Sequence, residues 1–530
     1  MRCRGGVSLV LLATLGSLRG ELRFEARELP FTCLNGEGPR KHLPGTMAGG
    51  VAAVDLDGDG RIDLYFPNGA ELPGLRKSSP KFAAQLLRNQ GGLRFAPDAT
   101  VDPGTGFEIG VALGDYDGDG DEDLFVGGTG TARLLRNDGN GRLTNVTARA
   151  GMGAKTAWSV GGAWIDYDHD GRLDLFQVNY VVWQGEGERE CIVEGKPDYC
   201  HPRYYKGSAS TLWRNLGDGR FEDASARAGI TRHIGKGMAA AAGDYDGDGW
   251  PDVFVTNDRE MNFLFRNRGD GTFEEKAFEA GVALPQAGKS PSAMGAELRD
   301  YDNDGRPDLF FTALATETFP LFRNEGRGVF NETTFSSGIA KLTGRMAGWG
   351  TIIADFDNDG WRDIWVARSD ALSVTGGRAN KVREPNALLR NLGNGRFADV
   401  SEEAGLHTRP AQMYRGAVVA DFDGDGGLDI VVTALNAPAE LWRNTGARGN
   451  WLGVRVNQGA QVKVTAGGRT LWDHGQWSRG YASASAGPLH FGLGTAARAE
   501  KIEVYWPVSG KRLELHDVAA GQVIEVKEPR

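Results

Sequence analysis

A nine-residue phrase, Asp-x-Asp-x-Asp-Gly-x-x-Asp, recurs seven times along the chain and places carboxylates at positions 1, 3, 5 and 9. Wrapped around a turn, these groups can converge on one hard cation. The backbone carbonyl of position 7 and a water would complete the six to eight oxygens, at about 2.3 to 2.6 Å, that Ca²⁺ takes. The expected donor sets are Asp55, Asp57, Asp59 and Asp63 with the carbonyl of Arg61; Asp115, Asp117, Asp119 and Asp123 with that of Asp121; and Asp166, Asp168, Asp170 and Asp174 with that of Arg172. Next come Asp244, Asp246, Asp248 and Asp252 with Trp250; Asp300, Asp302, Asp304 and Asp308 with Arg306; Asp355, Asp357, Asp359 and Asp363 with Trp361; and Asp421, Asp423, Asp425 and Asp429 with Gly427. Position 6 is Gly in every copy and position 4 is Gly, Asn or His, residue types that accept left-handed backbone. An EF-hand would need a Glu at position 12, where the first copy has Phe66 and the fourth Val255. Mg²⁺ would demand stricter octahedral geometry, so about seven calcium ions are expected, in a structural role. Without metal, four carboxylates per loop would repel one another and shift their pKa values.

These loops must be carried by repeated elements. A second phrase, Leu-x-Arg-Asn, alternates with the first, also seven times, from Leu86 to Asn444. Each repeat reads as four short strands: an apolar run into the first Asp, another after the last, the L-x-R-N strand, and a strand of the G-x-F-x-D-V type. Gly is 78 of 530 residues with only 21 Pro, which suits many tight turns and neither collagen nor a helical bundle. Four strands repeated seven times predict an all-β, seven-bladed β-propeller over residues 21–448, with a linear β-solenoid as the competing arrangement. After the L-x-R-N at 441 the chain lacks the fourth strand, whereas Phe24-Glu25-Ala26-Arg27 has that character. The N-terminal strand is therefore expected to complete the last blade.

Residues 1–20 read as an export signal, with Arg2 and Arg4 before an apolar run from Val7 to Leu15, so a mature chain starting near Glu21, secreted or periplasmic, is expected. No later stretch is long and apolar enough to span a membrane. The net charge of −10 argues against a nucleic-acid partner. Four Cys and eight His lie singly, without zinc, iron–sulfur or haem spacings. No catalytic set stands out: Gly288-Lys289-Ser290 lacks the first glycine of a phosphate loop, and no Gly-x-Ser-x-Gly elbow occurs.

The aspartate loops with L-x-R-N-x-G resemble FG-GAP or VCBS repeats, the calcium-loop propellers also found in integrin α-subunit heads. Asn450-Trp-Leu-Gly-Val-Arg-Val, Leu489-His-Phe-Gly-Leu-Gly and Ile502-Glu-Val-Tyr-Trp-Pro resemble the ASPIC/UnbV domain. Together they resemble the cartilage acidic protein 1 family, in the manner of a bacterial member. The resemblance implies a calcium-loop propeller followed by an ASPIC/UnbV domain over 449–530. Alternating apolar residues in 451–456, 462–465, 502–506 and 523–526 independently indicate a small β-sandwich-like module there. One departure from the family pattern is the short path from Val456 through Asn457-Gln458-Gly459-Ala460 to Val462, which suggests a trimmed first hairpin.

If the aspartate loops join strands 1 and 2 on one face, the loops joining strands 2 and 3 lie on the other. Repeats 2, 4, 5 and 7 look short there, but repeat 1 inserts residues 67–82, repeat 6 a stretch near 367–385, and repeat 3 about thirty residues from Tyr180. Long loops on a rigid scaffold tend to carry function. The third insertion holds Cys191 and Cys200, spaced for a disulfide that would pre-organise it, and Trp183, Tyr199, Arg203, Tyr204 and Tyr205, types enriched at recognition surfaces. These residues either bind a partner or pack over the central channel. Cys33 is left over as buried, free or intermolecular. The leading expectation is a monomeric binding, adhesion or scaffold protein for an extracellular protein or carbohydrate. The alternative is a secreted carbohydrate-active enzyme or biosynthetic accessory protein using the same face.

Overall fold

The computed structural model describes residues 21–153, 157–372, 374–375, 378–379, 381–446 and 449–529; the export signal expected over residues 1–20 lies outside them. Seven blades of four antiparallel strands follow one another, each built from the four segments read in the sequence, the sheet of blade 1 being extended to six strands by a C-terminal hairpin. In the fourth these are Gly237–Gly243, Asp252–Asn257, Phe263–Asn267 and Phe273–Glu275. Blades are numbered here by the aspartate loop they carry. Each loop closes the hairpin between strands 1 and 2, with position 9 as the first residue of strand 2. The first strands of successive blades are neighbours all the way round, including that of blade 7 with that of blade 1. The protein is therefore a seven-bladed β-propeller.

The ends of the ring are joined as expected. Phe24–Thr32 pairs antiparallel with Pro438–Asn444 of blade 7, Phe24 opposite Asn444 and Arg27 opposite Leu441. Separate apolar clusters fill the spaces between consecutive blades. Tyr116, Trp164 and Phe221 pack between blades 2 and 3, Tyr245, Phe311 and Phe330 between 4 and 5, and Phe24, Trp365 and Trp442 between 6 and 7.

A polar ring accompanies these cores. The Asn of every L-x-R-N donates its side-chain amide to the carbonyl of position 2 in the preceding blade's loop: Asn137 to Leu56 at 3.0 Å, Asn215 to Tyr116 at 2.7 Å, Asn267 to Tyr167 at 2.8 Å, and so on. Asn89 closes the circle on Phe422 of blade 7 at 3.0 Å. In every blade but the second the same Asn accepts from the glycine two residues on, as in Gly269 N to Asn267 Oδ1 at 3.0 Å, which explains the x-Gly that follows the phrase.

Past residue 449 the chain forms two small sheets. One holds Asn450–Arg455 between Leu489–Gly494 and Gln522–Glu525; the other runs Arg469–His474, Gln461–Ala466, Arg498–Trp506, Lys511–Ala519. The segments 450–455 and 461–466 belong to different sheets, so residues 457–460 are a crossover and not a hairpin turn. Between the sheets, a hairpin of Ser478–Arg479 and Ser483–Ser485 enters the propeller channel, which the sequence did not announce. It pairs in parallel with strand 1 of blade 1 (Ala52 opposite Ala484) and accepts from Val111 N of blade 2 through Ala482 O at 3.0 Å. Ser478 Oγ donates to Gly162 O of blade 3 at 2.8 Å, and His474 Nε2 meets Ala242 O of blade 4 at 3.2 Å. In blade 5, Ala296 N donates to Gly480 O, and in blade 7 Val419 N donates to Ser485 Oγ at 3.1 Å. Gly480, with φ +45°, lies so close to Thr351 of blade 6 that a Cβ would sit 2.4 Å from its carbonyl oxygen. Fully buried Arg299 anchors the plug through Asp473, His474 O at 3.0 Å and Gln476 O at 2.6 Å.

Replacing Asn267 by Ala removes the bond between blades 3 and 4 and leaves the buried Tyr167 carbonyl without it. The stability measured by urea unfolding should fall by about 1–3 kcal/mol. An unchanged unfolding midpoint would show that the ring of amides contributes nothing.

Candidate functional site

Each aspartate loop is held open by its own backbone. Oδ2 of position 1 accepts from the glycine N–H of position 6 in all seven copies, from 2.7 Å in Gly360 to Asp355 to 3.0 Å in Gly120 to Asp115. Position 4 and position 6 both take positive φ, +55° at His169 and +84° at Gly171, for example, as the residue types there imply. Position 9 is a staple: Oδ1 accepts from the L-x-R-N Asn backbone at 2.8 Å in every blade, as in Asn267 N to Asp252. In blades 2 to 7 its Oδ2 accepts from the N–H of position 2, as in Tyr245 N to Asp252 at 3.1 Å.

The arginine of L-x-R-N has a role that sequence reasoning missed. In blades 3 to 7 it pairs with the outer oxygen of position 3, as in Arg214 Nε with Asp168 Oδ2 at 2.7 Å, Arg323 Nε with Asp302 Oδ2 at 2.6 Å and Arg443 Nη2 with Asp423 Oδ2 at 2.8 Å, whereas Arg88 of blade 1 pairs with Asp63 at 2.7 Å and Arg136 of blade 2 with Asp138 at 2.6 Å. The inner oxygens of Asp168 and Asp357, and Oδ1 of Asp55 at position 1, are buried and have no hydrogen-bond partner. Within each of the triads Asp55, Asp57 and Asp59; Asp115, Asp117 and Asp123; Asp166, Asp168 and Asp174; Asp244, Asp246 and Asp248; and Asp300, Asp302 and Asp304, carboxylate oxygens lie within 4.8 Å of one another. Burial, and after it the neighbouring carboxylates, push Asp166, Asp244 and Asp421 up to about 6 and Asp174 and Asp429 up to about 8. A hard divalent cation fits this set: all-oxygen donors, orphaned inner oxygens and unfavourable mutual repulsion.

The loops differ in exposure. Asp57 and Asp59 are open to solvent, whereas Asp357 is 2% and Asn358 0% exposed. The C-terminal module covers this sixth loop. Gly449 N donates to Asp357 O at 3.1 Å, Gly494 N to Asn358 O at 2.8 Å, and Arg469 Nη1 to Asp359 O at 2.8 Å. A Cβ on Gly492 would meet Asp355 Oδ2 at 1.9 Å, so only glycine allows this approach.

The FG-GAP-like repeat model matches residues 115–176, 195–255, 244–311, 300–366 and 368–432, more than half of the chain. The chain belongs to the FG-GAP-like repeat family. Residues 446–530 match the ASPIC and UnbV model. Over 524 residues the chain is 28% identical to cartilage acidic protein 1 of Homo sapiens, covering 91% of this chain and 72% of that one. The mouse (Mus musculus) protein of the same name is 27% identical, covering 90% and 73%. Among solved structures, YCF48 bound to D1 peptide overlaps with a TM-score of 0.44 at 9% identity, covering 80% of this chain and 95% of that one. An Agrocybe aegerita lectin that recognises non-reducing terminal N-acetylglucosamine overlaps with a TM-score of 0.40 at 16% identity, covering 74% and 87%.

On the opposite face of the FG-GAP propeller, the third insertion is folded down. Cys191 and Cys200 form a disulfide with Cα atoms 5.3 Å apart, flanking a hairpin of Cys191–Val193 and Lys196–Asp198. Buried Glu188 ties the insertion to the N-terminal segment. It accepts from Leu43 N at 3.0 Å and from the Tyr205 hydroxyl, and lies 2.7 Å from His42 Nδ1. Trp183 is half-buried edge-on to His42, and Tyr199 is half-buried beneath Lys41. Tyr204 is 49% exposed, with the Arg189 guanidinium 4.4 Å and that of Arg203 5.6 Å from its ring centre. Three of the five singled-out residues thus pack inward, and Arg203 and Tyr204 face solvent. The first insertion is held by Lys77, 2.8 Å from buried Glu108. The blade 5 connection, residues 312–320, is longer than the sequence suggested and reaches the channel mouth. Cys33 is buried and unpaired, its thiol pushed up to about 12 by burial.

Substituting Glu188 by Ala should release residues 184–206 from the propeller. Amide hydrogen exchange there should accelerate, and stability should drop by about 1–3 kcal/mol. Unaltered exchange in that segment would show that Glu188 does not hold it.

Proposed function

We propose that this is an exported, calcium-stabilised binding protein that takes an extracellular protein or carbohydrate on the face opposite its aspartate loops. The observation that carries the calcium reading is the divided role of position 3, one oxygen on arginine and the other, in Asp168 and Asp357, buried without a partner. Bound calcium supplies positive charge to a loop whose carboxylates otherwise repel one another. The chain's own residues do the rest: position 6 glycine orients position 1, in blades 3 to 7 arginine orients position 3, and position 9 locks the loop to strand 3. The binding reading is supported by the insertions of repeats 1 and 3, which are anchored at their bases and present Arg203 and Tyr204 outward. Similarity to cartilage acidic protein 1 along nine-tenths of the chain agrees with a binding or scaffold role. Export is supported by the leader sequence and by the disulfide. Among the described residues no helix is long and apolar enough to cross a membrane.

Elemental analysis of the purified mature protein should give close to seven calcium ions per chain, and chelator should lower the melting temperature sharply because metal binds mainly the folded state. The ion of the sixth loop should leave last, since its escape requires the C-terminal module to lift away. Little bound calcium, or a melt indifferent to chelator, would overturn the calcium reading. Replacing Arg203 and Tyr204 together by Ala should reduce partner capture without changing the melt, and undiminished capture would remove this surface from the binding reading.

A further inference from the structure

Position 4 of the aspartate loops does more than turn the backbone. In loops 1, 2, 4 and 7 it is glycine, Gly58, Gly118, Gly247 and Gly424, and offers no side chain. In loop 3 it is His169, whose ring stacks on that of Trp250 in loop 4, 3.6 Å between centres. In loops 5 and 6 it is Asn303 and Asn358, both with positive φ, +62° and +57°. Each of these sends its amide into the loop of the next blade: Asn303 Nδ2 donates to Gly360 O at 2.8 Å, and Asn358 Nδ2 to Gly426 O at 3.0 Å. The accepting carbonyl belongs in both cases to position 6. The N–H of that same peptide unit, at position 7, donates to Oδ1 of position 5: Trp361 N to Asp359 at 2.9 Å, Gly427 N to Asp425 at 3.0 Å. One loop therefore holds, through a single peptide unit, a carboxylate of the next loop's donor set. Loop 6 also reaches back, since Arg362 at position 8 donates to Asp300 O of loop 5. These bonds add to the ring of L-x-R-N amides, which is the same at every blade boundary.

The C-terminal module closes on the same part of the ring. A Cβ added at position 6 would meet nothing within 4 Å in loops 1 to 5, at Gly60, Gly120, Gly171, Gly249 and Gly305. At Gly360 it would lie 2.8 Å from Arg469 Nη1, and at Gly426 only 1.8 Å from Trp451 Nε1. Trp451 stacks on His490, with ring centres 5.8 Å apart, and His490 Nε2 lies 2.6 Å from Asn358 Oδ1. Asn358 is thus held by the module through its oxygen while its nitrogen holds loop 7. Arg362 ties loop 6 to the module a second time, donating from Nη2 to Trp472 O at 2.8 Å and lying 3.1 Å from Asp473 Oδ2.

We propose that loops 5, 6 and 7 take calcium as one coupled unit and that the C-terminal module tightens on the propeller with them. This rests on the calcium reading above. Each loop needs only two states: closed, with its carboxylates drawn together around a cation, and opened by their mutual repulsion. Opening loop 6 moves Gly360 O away from Asn303 and Asn358 away from Gly426 O. It also moves the carbonyls of residues 357 to 359 away from Gly449, Gly494 and Arg469. Support is withdrawn from loops 5 and 7 and from the module together. By linkage, filling any one of the three loops favours the closed state of the others. Loops 1 and 2, with glycine at position 4 and no cover at position 6, stand outside the unit.

The test follows amide hydrogen exchange, loop by loop, in the full mature protein equilibrated at a series of free calcium concentrations set by a chelator buffer. Loops 5, 6 and 7 and residues 489–494 should lose protection at one common concentration, and loops 1 and 2 at concentrations of their own. Asn303→Gly gives loop 5 the residue that four other loops carry. It should separate the midpoint of loop 5 from those of loops 6 and 7 by at least about fivefold in free calcium. Asn358→Gly should separate loop 7 from loop 6 in the same way, whereas a substitution that merely weakened the fold would shift all loops alike. Distinct midpoints for loops 5, 6 and 7 in the unaltered protein, one midpoint shared by all seven loops, or a common midpoint that survives both substitutions would overturn the coupling and leave calcium binding in place. Protection indifferent to chelator in every loop would remove the calcium reading and the coupling with it.

Discussion

The ring of side-chain amides, one per blade, is the constraint on which the rest of the structure depends. Apolar packing between blades is strong but non-directional, so it does not by itself set the height of one blade against the next. The Asn of L-x-R-N does set it, because its amide reaches a single carbonyl of the preceding blade, at 2.7 to 3.0 Å around the whole circle. That carbonyl belongs to position 2, between the carboxylates of positions 1 and 3. The bond that registers the blades therefore also positions the oxygen donors, and a change in one loop is felt across a blade boundary.

The same economy governs the two ends of the chain. The N-terminal strand supplies the outer edge of blade 7, while the C-terminal module sends a hairpin through the centre. A seven-bladed ring leaves an axial channel lined by the inner strands, whose unpaired backbone groups need partners. The hairpin meets all seven inner strands. This explains glycines that turn chemistry does not: a Cβ on Gly110 would lie 2.9 Å from Ala482 Cβ, and one on Gly416 would lie 2.5 Å from Ser483 Oγ. Burying the plug brings charge with it, and Asp473 is held well below the usual carboxylate range by Arg299 and Arg362, against the upward push of its burial.

Charge is organised differently on the two faces. On the loop face, acid is concentrated and partly offset by the arginine of strand 3, leaving inner oxygens for a cation. On the insertion face, acids and bases are interleaved around an apolar hollow, where Asp258, Arg259 and Glu317 come from two different blades. The first arrangement repeats one cluster of carboxylates around the ring. The second is asymmetric, because the connections on that face differ from blade to blade.

The sequence alone determined what repetition and local spacing can encode. Seven copies of two phrases specified the blade, its four strands, the clustered carboxylates of each loop and the left-handed positions 4 and 6; the missing fourth strand after residue 444 pointed to Phe24 to Arg27 as its replacement, within the observed Phe24–Thr32. The Cys191–Cys200 pairing was legible because the partners lie only nine positions apart. Only the tertiary structure decided what depends on distant contacts. The plug at 478–485 has no signal of its own, since its small residues acquire meaning only against seven strands from elsewhere in the chain. The sealing of loop 6 likewise depends on Gly449, Gly492 and Gly494, some ninety or more positions beyond Asn358. Trp183, Tyr199 and Tyr205 look like a recognition surface in the sequence but are turned inward by Glu188 and the N-terminal segment. The hollow at the channel mouth joins residues from 43 to 372. Periodic local interactions can be read in one dimension, whereas burial and partner satisfaction are properties of the closed ring.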